Sequence, residues 1–367
     1  MTVDPRVIGA LDWYPLRLTY ATQPLIAAAQ AISRVLGKAD LPRWSLGETW
    51  ECSDVDGMGG EVTNGPLAGT SLRQLVTDHP DELMGEGWSG DFFPFLTKFI
   101  DASGALPVHL HADDATAQAL EGQVNGKTEA WHILVAVPGA TALCGVKEGV
   151  TPDELRAALR AQDFDAVLRR LPVRAGDTIF VPGGTPHSFG PDTVVYEIEQ
   201  TSDIQQHVMH WNMQDGSPVP EEEVAQNLDA FMAEVDLAPR PDVHPGLAVT
   251  VDDGVQRVFL TACPSFALER WHAGTAAPLR HRFATAQVLS NVGAPVTVTC
   301  GDWSEELGRA SSLLLPAAVG SVEVTGPADV LFGYLPDLER DVRAPLAAAG
   351  YGPGPIATLG AGLSPTG

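Results

Sequence analysis

His109 and His111, in the run PVHLHADD, are the first residues whose types and spacing could do chemistry. Residues two apart in a strand share a face, so both imidazoles can reach one ion. Glu129, in GKTEAWH, opens the next apolar strand and offers a carboxylate. His187 ends VPGGTPH, where Pro182, Gly183 and Gly184 make a tight turn into another strand. Three neutral ring nitrogens and one carboxylate suit a single divalent metal ion. Zinc comes first, with manganese, iron, cobalt and nickel also compatible, and positions stay open for a substrate. A lone strand histidine is more often a surface or satisfied core residue. The four together, in this order within a β-rich region, point to a metal site.

The elements that must position these residues are mostly strands. The chain has 37 glycines and 29 prolines among 367 residues, which favours short strands joined by turns. Strands are predicted at GETWECSDV, EVTNG, FPFLTKFIDA, AWHILVAV, VRAGDTIFVPGGTPHSFG and TVVYEIEQTSD, with a helix around SLRQLVTDHPDEL. Apolar residues at helical spacing over about 151–171 predict a helical insertion, with Thr151 as N-cap and Glu154 completing a capping box. PVPEEEVAQNLDAFMAEVDL tends to helix, and APRPDVHPG after it reads as a linker. A second set of strands follows, without HxH and without histidine in its turn LLLPAAVGSVEV, so this half reads as metal-free. The fold class is therefore mainly β, as two jelly-roll barrels: 1–238 with the metal site and the insertion, and 239–367 packing against it. The tail GYGPGPIATLGAGLSPTG reads as loose, and His79, His244, His272 and His281 as surface or structural residues.

Composition narrows the partners. Hydrophobic residues make up 44% and charged residues 19%, as in globular proteins. The net charge of −25 repels nucleic acid and anionic lipid, and argues against both as partners. No apolar run approaches the length of a membrane span, and the first residues lack a secretion-signal pattern, so a cytoplasmic location is expected. The four cysteines, Cys52, Cys144, Cys263 and Cys300, have no CxxC spacing and read as small buried hydrophobes.

The order HxH, Glu, PxGxxH resembles the cupin superfamily. The finer pattern is similar to the class I mannose-6-phosphate isomerases of the short bacterial type. It rests on Gly47-Glu48-Thr49-Trp50, TNGPLAGTSLRQL, FPFLTKFIDA, VHLHADD, GKTEAW, LRRLPVRAGDTIFVPGGTPHSFG and EIEQTSD, in family order from about 47 to 211. The resemblance implies an aldose–ketose isomerase with one metal on His109, His111, Glu129 and His187. It also places Lys127 and Asp203 at the substrate site. Departures from the family pattern are His109 for a glutamine, His207 for an arginine and His132 for a tyrosine. An arginine would offer phosphate a permanent charge with a bidentate fork, and histidine does not. A small-molecule sugar is thus the expected partner, either mannose-6-phosphate-like or unphosphorylated.

Isomerisation moves a proton between C1 and C2, with a metal holding O1 and O2 and a base reaching the C–H. Lys127 is a candidate base if its pKa is depressed, and His207 competes with it. Asp203 or Glu197 could orient either group or open the sugar ring. Two other readings share the donor set: a metal-dependent oxygenase, and a sugar-binding or regulatory descendant without turnover.

Overall fold

A computed structural model describes residues 12–39, 41, 46–251, 254–274 and 278–364. The strands of the first half are β1 (Ala21–Pro24), β2 (Leu46–Cys52), β3 (Phe95–Ala102), β4 (His109–Leu110), β5 (Glu129–Ala136), β6 (Thr141–Val146), β7 (Leu168–Pro172), β8 (Thr178–Val181), β9 (His187–Phe189), β10 (Thr193–Gln200) and β11 (Gln206–His207). Those of the second are β12 (Leu247–Thr250), β13 (Gln256–Cys263), β14 (Phe266–Ala273), β15 (Leu279–Arg282), β16 (Gln287–Asn291), β17 (Val296–Cys300), β18 (Trp303–Leu307), β19 (Ser311–Leu315), β20 (Ser321–Thr325) and β21 (Ala328–Tyr334).

They form four sheets, ordered β1-β2-β3-β10-β5-β8, β11-β4-β9-β6-β7, β12-β13-β14-β21-β16-β19 and β15-β20-β17-β18. The mainly β prediction holds. Each half is a pair of facing antiparallel sheets, and among the described residues hydrogen bonding does not close either pair into a barrel. The large sheet repeats its order in the second half, strand for strand. The small sheet repeats the order β4-β9-β6-β7 as β15-β20-β17-β18.

The central strands β3 and β10 are buried along their whole length, because each of their faces meets a different core. Ile100, Ala102 and Val195 join Trp131, Ile179, Ala142 and Phe189 between the two sheets of the first half. Phe95, Phe99, Tyr196 and Ile198 alternate with them and pack instead on Phe266, Leu268, Val288 and Leu331 of the second half. Full burial of each such side chain contributes about 1.5–3 kcal/mol. Period-two alternation thus sends half of each strand toward the site and half toward the other sheet pair.

The helix Pro152–Arg160 starts as predicted, with Thr151 and Glu154 exchanging capping hydrogen bonds. It lays Leu155 and Leu159 on Leu228 and Phe231 of the helix Glu221–Glu234. A turn and the short helix Phe164–Val167 follow, and from Leu168 the segment is strand β7.

Three local expectations are corrected. SLRQLVTDHPDEL is two helices, Leu72–Asp78 and Pro80–Met84, because a proline disfavours helical backbone in the residue before it; His79 sits at φ −138°. EVTNG holds only isolated bridges, Glu61 to Ser71 and Val62 to Leu18. The tail is packed rather than loose: Pro353–Ala357 is helical, and Ile356, Leu359 and Leu363 are buried against Phe259 and Tyr334. Residues 365–367 lie outside the described residues. The proline-rich segment is also tied down, since Arg169 donates to the Pro241 carbonyl and His244 pairs with Thr178.

Candidate metal centre

β4 supplies His109, and His111 follows directly after that strand. β9 begins at His187, opposite His109 in register. Glu129 is the first residue of β5 on the facing large sheet. The two sheets therefore bring all four residues together. The Nε2 atoms of His109 and His187 lie 2.9 Å apart. His111 Nε2 is 3.1 Å from Glu129 Oε2, and His187 Nε2 is 3.2 Å from Glu129 Oε1.

The opposite nitrogen of each ring decides what the cluster can do. Nδ1 of His109 meets the Pro107 carbonyl at 2.9 Å, Nδ1 of His111 the Ile204 carbonyl at 2.6 Å, and Nδ1 of His187 the Thr185 carbonyl at 2.8 Å. A carbonyl only accepts, so each Nδ1 carries the proton and each Nε2 presents a lone pair. Burial, with His187 and His111 nearby, holds His109 well below the usual imidazole range. Burial likewise pushes His187 down to about 4, against the pull of Glu129. Glu129 is held well below the ordinary carboxylate range, because Lys127, then His187 and His111, outweigh its burial. Lone pairs facing one another beside a carboxylate are a donor set for a divalent cation, with carbonyl braces of the kind that orient ligating histidines.

The neighbouring cavity is lined by Glu48, Trp50, Lys98, Lys127, Glu197 and Asp203, among others. Gln23 and Leu25 also line it, so the N-terminal segment contributes to the pocket. Strand register builds the lining: Lys98 on β3 stands opposite Glu197 on β10, and Glu199 stands opposite Glu129 on β5. Lys98 Nζ is 2.9 Å from Glu199 and 3.4 Å from Glu197, and lies over the Trp50 ring at 4.1 Å. Lys127 Nζ is 2.8 Å from Glu199 and 3.2 Å from Glu129. Burial, then Glu129 and Glu199, raise the Glu197 carboxyl well above its ordinary range. Glu199 goes the other way, since Lys127 and Lys98 overcome its burial.

Of the predicted catalytic residues, Lys127, Asp203 and Glu197 line this cavity and His207 does not. His207 stands opposite His109 in register, half-buried and lowered chiefly by burial, with Glu223 acting against the shift. A depressed pKa is the condition for Lys127 to serve as the base. Burial alone would lower it, but Glu199, Glu129 and Glu197 hold it well above the ordinary lysine value, so it stays an ammonium. His132 faces the second half, with Nδ1 at 3.0 Å from Thr178 Oγ1 and Nε2 at 3.0 Å from Arg270. Lys98 and Glu199 were missed. Their signal was a lone lysine in the apolar run FLTKFIDA and the EIE alternation of β10, which puts two carboxylates on one face.

No family model matches the chain. A mannose-6-phosphate isomerase from Streptococcus mutans is 29% identical over 297 residues, 80% of this chain and 90% of that protein. The likeness is to mannose-6-phosphate isomerases. ManA from Bacillus subtilis, also a mannose-6-phosphate isomerase, is 27% identical over 297 residues, 80% of this chain and 91% of that protein. The crystal structure of the mannose 6-phosphate isomerase from Bacillus subtilis superposes with a TM-score of 0.79 at 24% identity, covering 88% of this chain and all of that one. A zinc-bound mannose 6-phosphate isomerase structure reaches a TM-score of 0.70 at 13% identity, covering 88% of this chain and 99% of that one. The fold is shared with these aldose–ketose isomerases. Among the described residues, no helix is long and apolar enough to cross a membrane.

Proposed function

We propose that the chain is a metal-dependent aldose–ketose isomerase acting on an unphosphorylated sugar. The observation that carries this reading is the set of three carbonyl-braced histidines and Glu129 opening onto a cavity with buried lysines and carboxylates. The likeness to mannose-6-phosphate isomerases supports the reaction class.

His109, His111, Glu129 and His187 would hold one divalent ion, zinc by preference for this donor set. When bound, such an ion supplies Lewis acidity for the sugar carbonyl and for the negative charge that develops on neighbouring oxygens. Lys98 and Lys127, kept charged by their carboxylates, donate to substrate hydroxyls and stabilise the same charge. Glu197 is buried at the cavity wall, 3.4 Å from Lys98, and is the group we assign to carry the proton between C1 and C2. Asp203 stands where this cavity adjoins a second, outer one and orients the sugar as it enters. Trp50 provides an aromatic wall.

The charge of the lining sets the choice of substrate. Four acids, Glu48, Glu129, Glu197 and Asp203, face two lysines already engaged with carboxylates, and no arginine lines the cavity among the described residues. A phosphate dianion would find no free cation here.

The test is proton NMR in deuterated water with the zinc-loaded chain, free and 6-phosphorylated aldoses, and His187→Ala as control. Deuterium at C1 of the ketose formed from the free sugar and at C2 of the recovered aldose, both lost in the control, is the expected result. Turnover confined to the phosphorylated sugar would overturn the substrate, and no exchange with any sugar would overturn the isomerase.

A further inference from the structure

The second half carries a cavity at the place the metal centre occupies in the first, and its charge has the opposite sign. Gln287 begins β16, the fifth strand of its large sheet, as Glu129 begins β5. Its neighbour across the ladder is Tyr334, where Glu129 has Glu199. β15 takes the place of β4 in the small sheet, and it carries His281. His281 Nε2 donates to Gln287 Oε1 at 2.6 Å, as His111 faces Glu129. A neutral amide has thus replaced the carboxylate, and one histidine stands where the first half has three. Such a pair cannot hold a divalent ion.

The floor is buried and built. Glu269 is 1% exposed; Arg257 grips it through two hydrogen bonds, and Trp271 and Tyr334 donate to it. Gln287 is 5% exposed, and with Oε1 taken by His281 its amide nitrogen has no acceptor among the described residues. The cavity measures about 710 Å³ and is lined by four arginines, of which Arg257 is held by Glu269, Arg280 by Glu323 and Arg340 by Asp341, while Arg282 has no carboxylate partner among the described residues. Arg280 and Arg282 alternate with His281, so they sit on the outer side of the edge strand β15 and form the mouth. Four of the chain's 22 basic residues converge here, in a protein of net charge −25.

We propose that this cavity binds a small phosphorylated molecule, the anion held by the arginines at the mouth and the remainder reaching toward the Gln287 amide. Arginine forks suit phosphate oxygens; Arg282 offers one without a carboxylate partner among the described residues, and Arg280 and Arg340 at the exposed mouth can exchange their surface carboxylates for the anion. The inference stands apart from the isomerase reading, because it uses none of the residues of the first cavity.

The experiment is calorimetric titration of the full chain with inorganic phosphate, a hexose 6-phosphate and the free hexose. Three proteins are compared: the unsubstituted chain, R282A/R340A, and His187→Ala. Both arginines are exposed, so the double variant keeps its fold, checked by an unchanged melting curve. The expected result is saturable one-to-one binding of both phosphates, weakened at least tenfold in R282A/R340A and by added salt, and preserved in His187→Ala. Binding of hexose phosphate tighter than inorganic phosphate would support contacts beyond the anion. Absence of phosphate binding, or binding untouched by R282A/R340A, would overturn the proposal. Isomerase turnover of R282A/R340A on free sugar stays at the unsubstituted level, so loss of one reading leaves the other testable.

Discussion

Replacing Lys98 with methionine isolates the electrostatics of the first cavity. The ammonium is 5% exposed in its side chain and lies 2.9 Å from Glu199, 3.4 Å from Glu197 and 3.9 Å from Glu48. At an effective dielectric of about 20, the closest pair attracts by roughly 6 kcal/mol. Much of that offsets the cost of taking the charges out of water. What remains on breaking such a buried arrangement from one side is about 3–5 kcal/mol, because the Glu199 carboxylate loses one of its two counter-charges. Lys98→Met should lower stability by that amount in urea unfolding. Lys98→Met with Glu199→Gln should recover part of the loss, since one stranded charge is gone while Lys127 keeps Glu129 at 3.2 Å. A loss under about 1 kcal/mol, or a double variant no more stable than the single one, would refute the account of Lys98 as the counter-ion of this cluster.

Removing one donor should empty the metal centre: after dialysis against a weak chelator, elemental analysis should find one divalent ion per chain, and more than tenfold less in His111→Ala or His187→Ala. Thr151 caps the helix Pro152–Arg160, so Thr151→Ala should cost about 1 kcal/mol, seen as faster amide exchange in that helix; unchanged exchange would remove the capping box as a cause of its stability. Glu234 and Glu121 both accept from the Gln206 amide, and burial ahead of Glu121 pushes Glu234 up to about 8. A carboxyl raised on folding keeps its full contribution below the unfolded pKa of 4.5 and loses it as pH climbs through 8. Glu234→Gln should therefore gain on the unsubstituted chain by a few degrees of Tm between pH 5 and pH 9, and a constant difference across that range would contradict the assignment.

The clustering of His109, His111, Glu129 and His187 was legible because its signal is local. HxH states a shared face within three residues, and PGGTPH states a turn that delivers His187 to a strand start. The partners of that site were not legible, since Lys98 meets Glu197 and Glu199 only through the pairing of β3 with β10, about a hundred residues apart in sequence. A lysine in FLTKFIDA looks like a solvated interruption until the register shows what it faces. His281 was set aside for the same reason: alone on its strand it has no motif, and its meaning comes from β15 occupying the place of β4. His207 shows the converse. Its position after Asp203 promised a catalytic role, yet it stands outside the cavity.

The core between the two sheet pairs has a consequence for how the molecule comes apart. Phe95, Phe99, Tyr196 and Ile198 have their opposite wall in Phe266, Leu268 and Leu331, and the Tyr196 hydroxyl meets Ser290 Oγ at 2.9 Å. Neither half owns that wall. A fragment ending in the proline-rich segment would expose this aromatic face of β3 and β10 to water, while the alternate residues of the same strands still had to hold the histidine–glutamate cluster in register. Melting of one half and loss of the ion-binding geometry in the other are thus expected as a single cooperative event, and a protease nick between them should leave two pieces that stay together until both unfold.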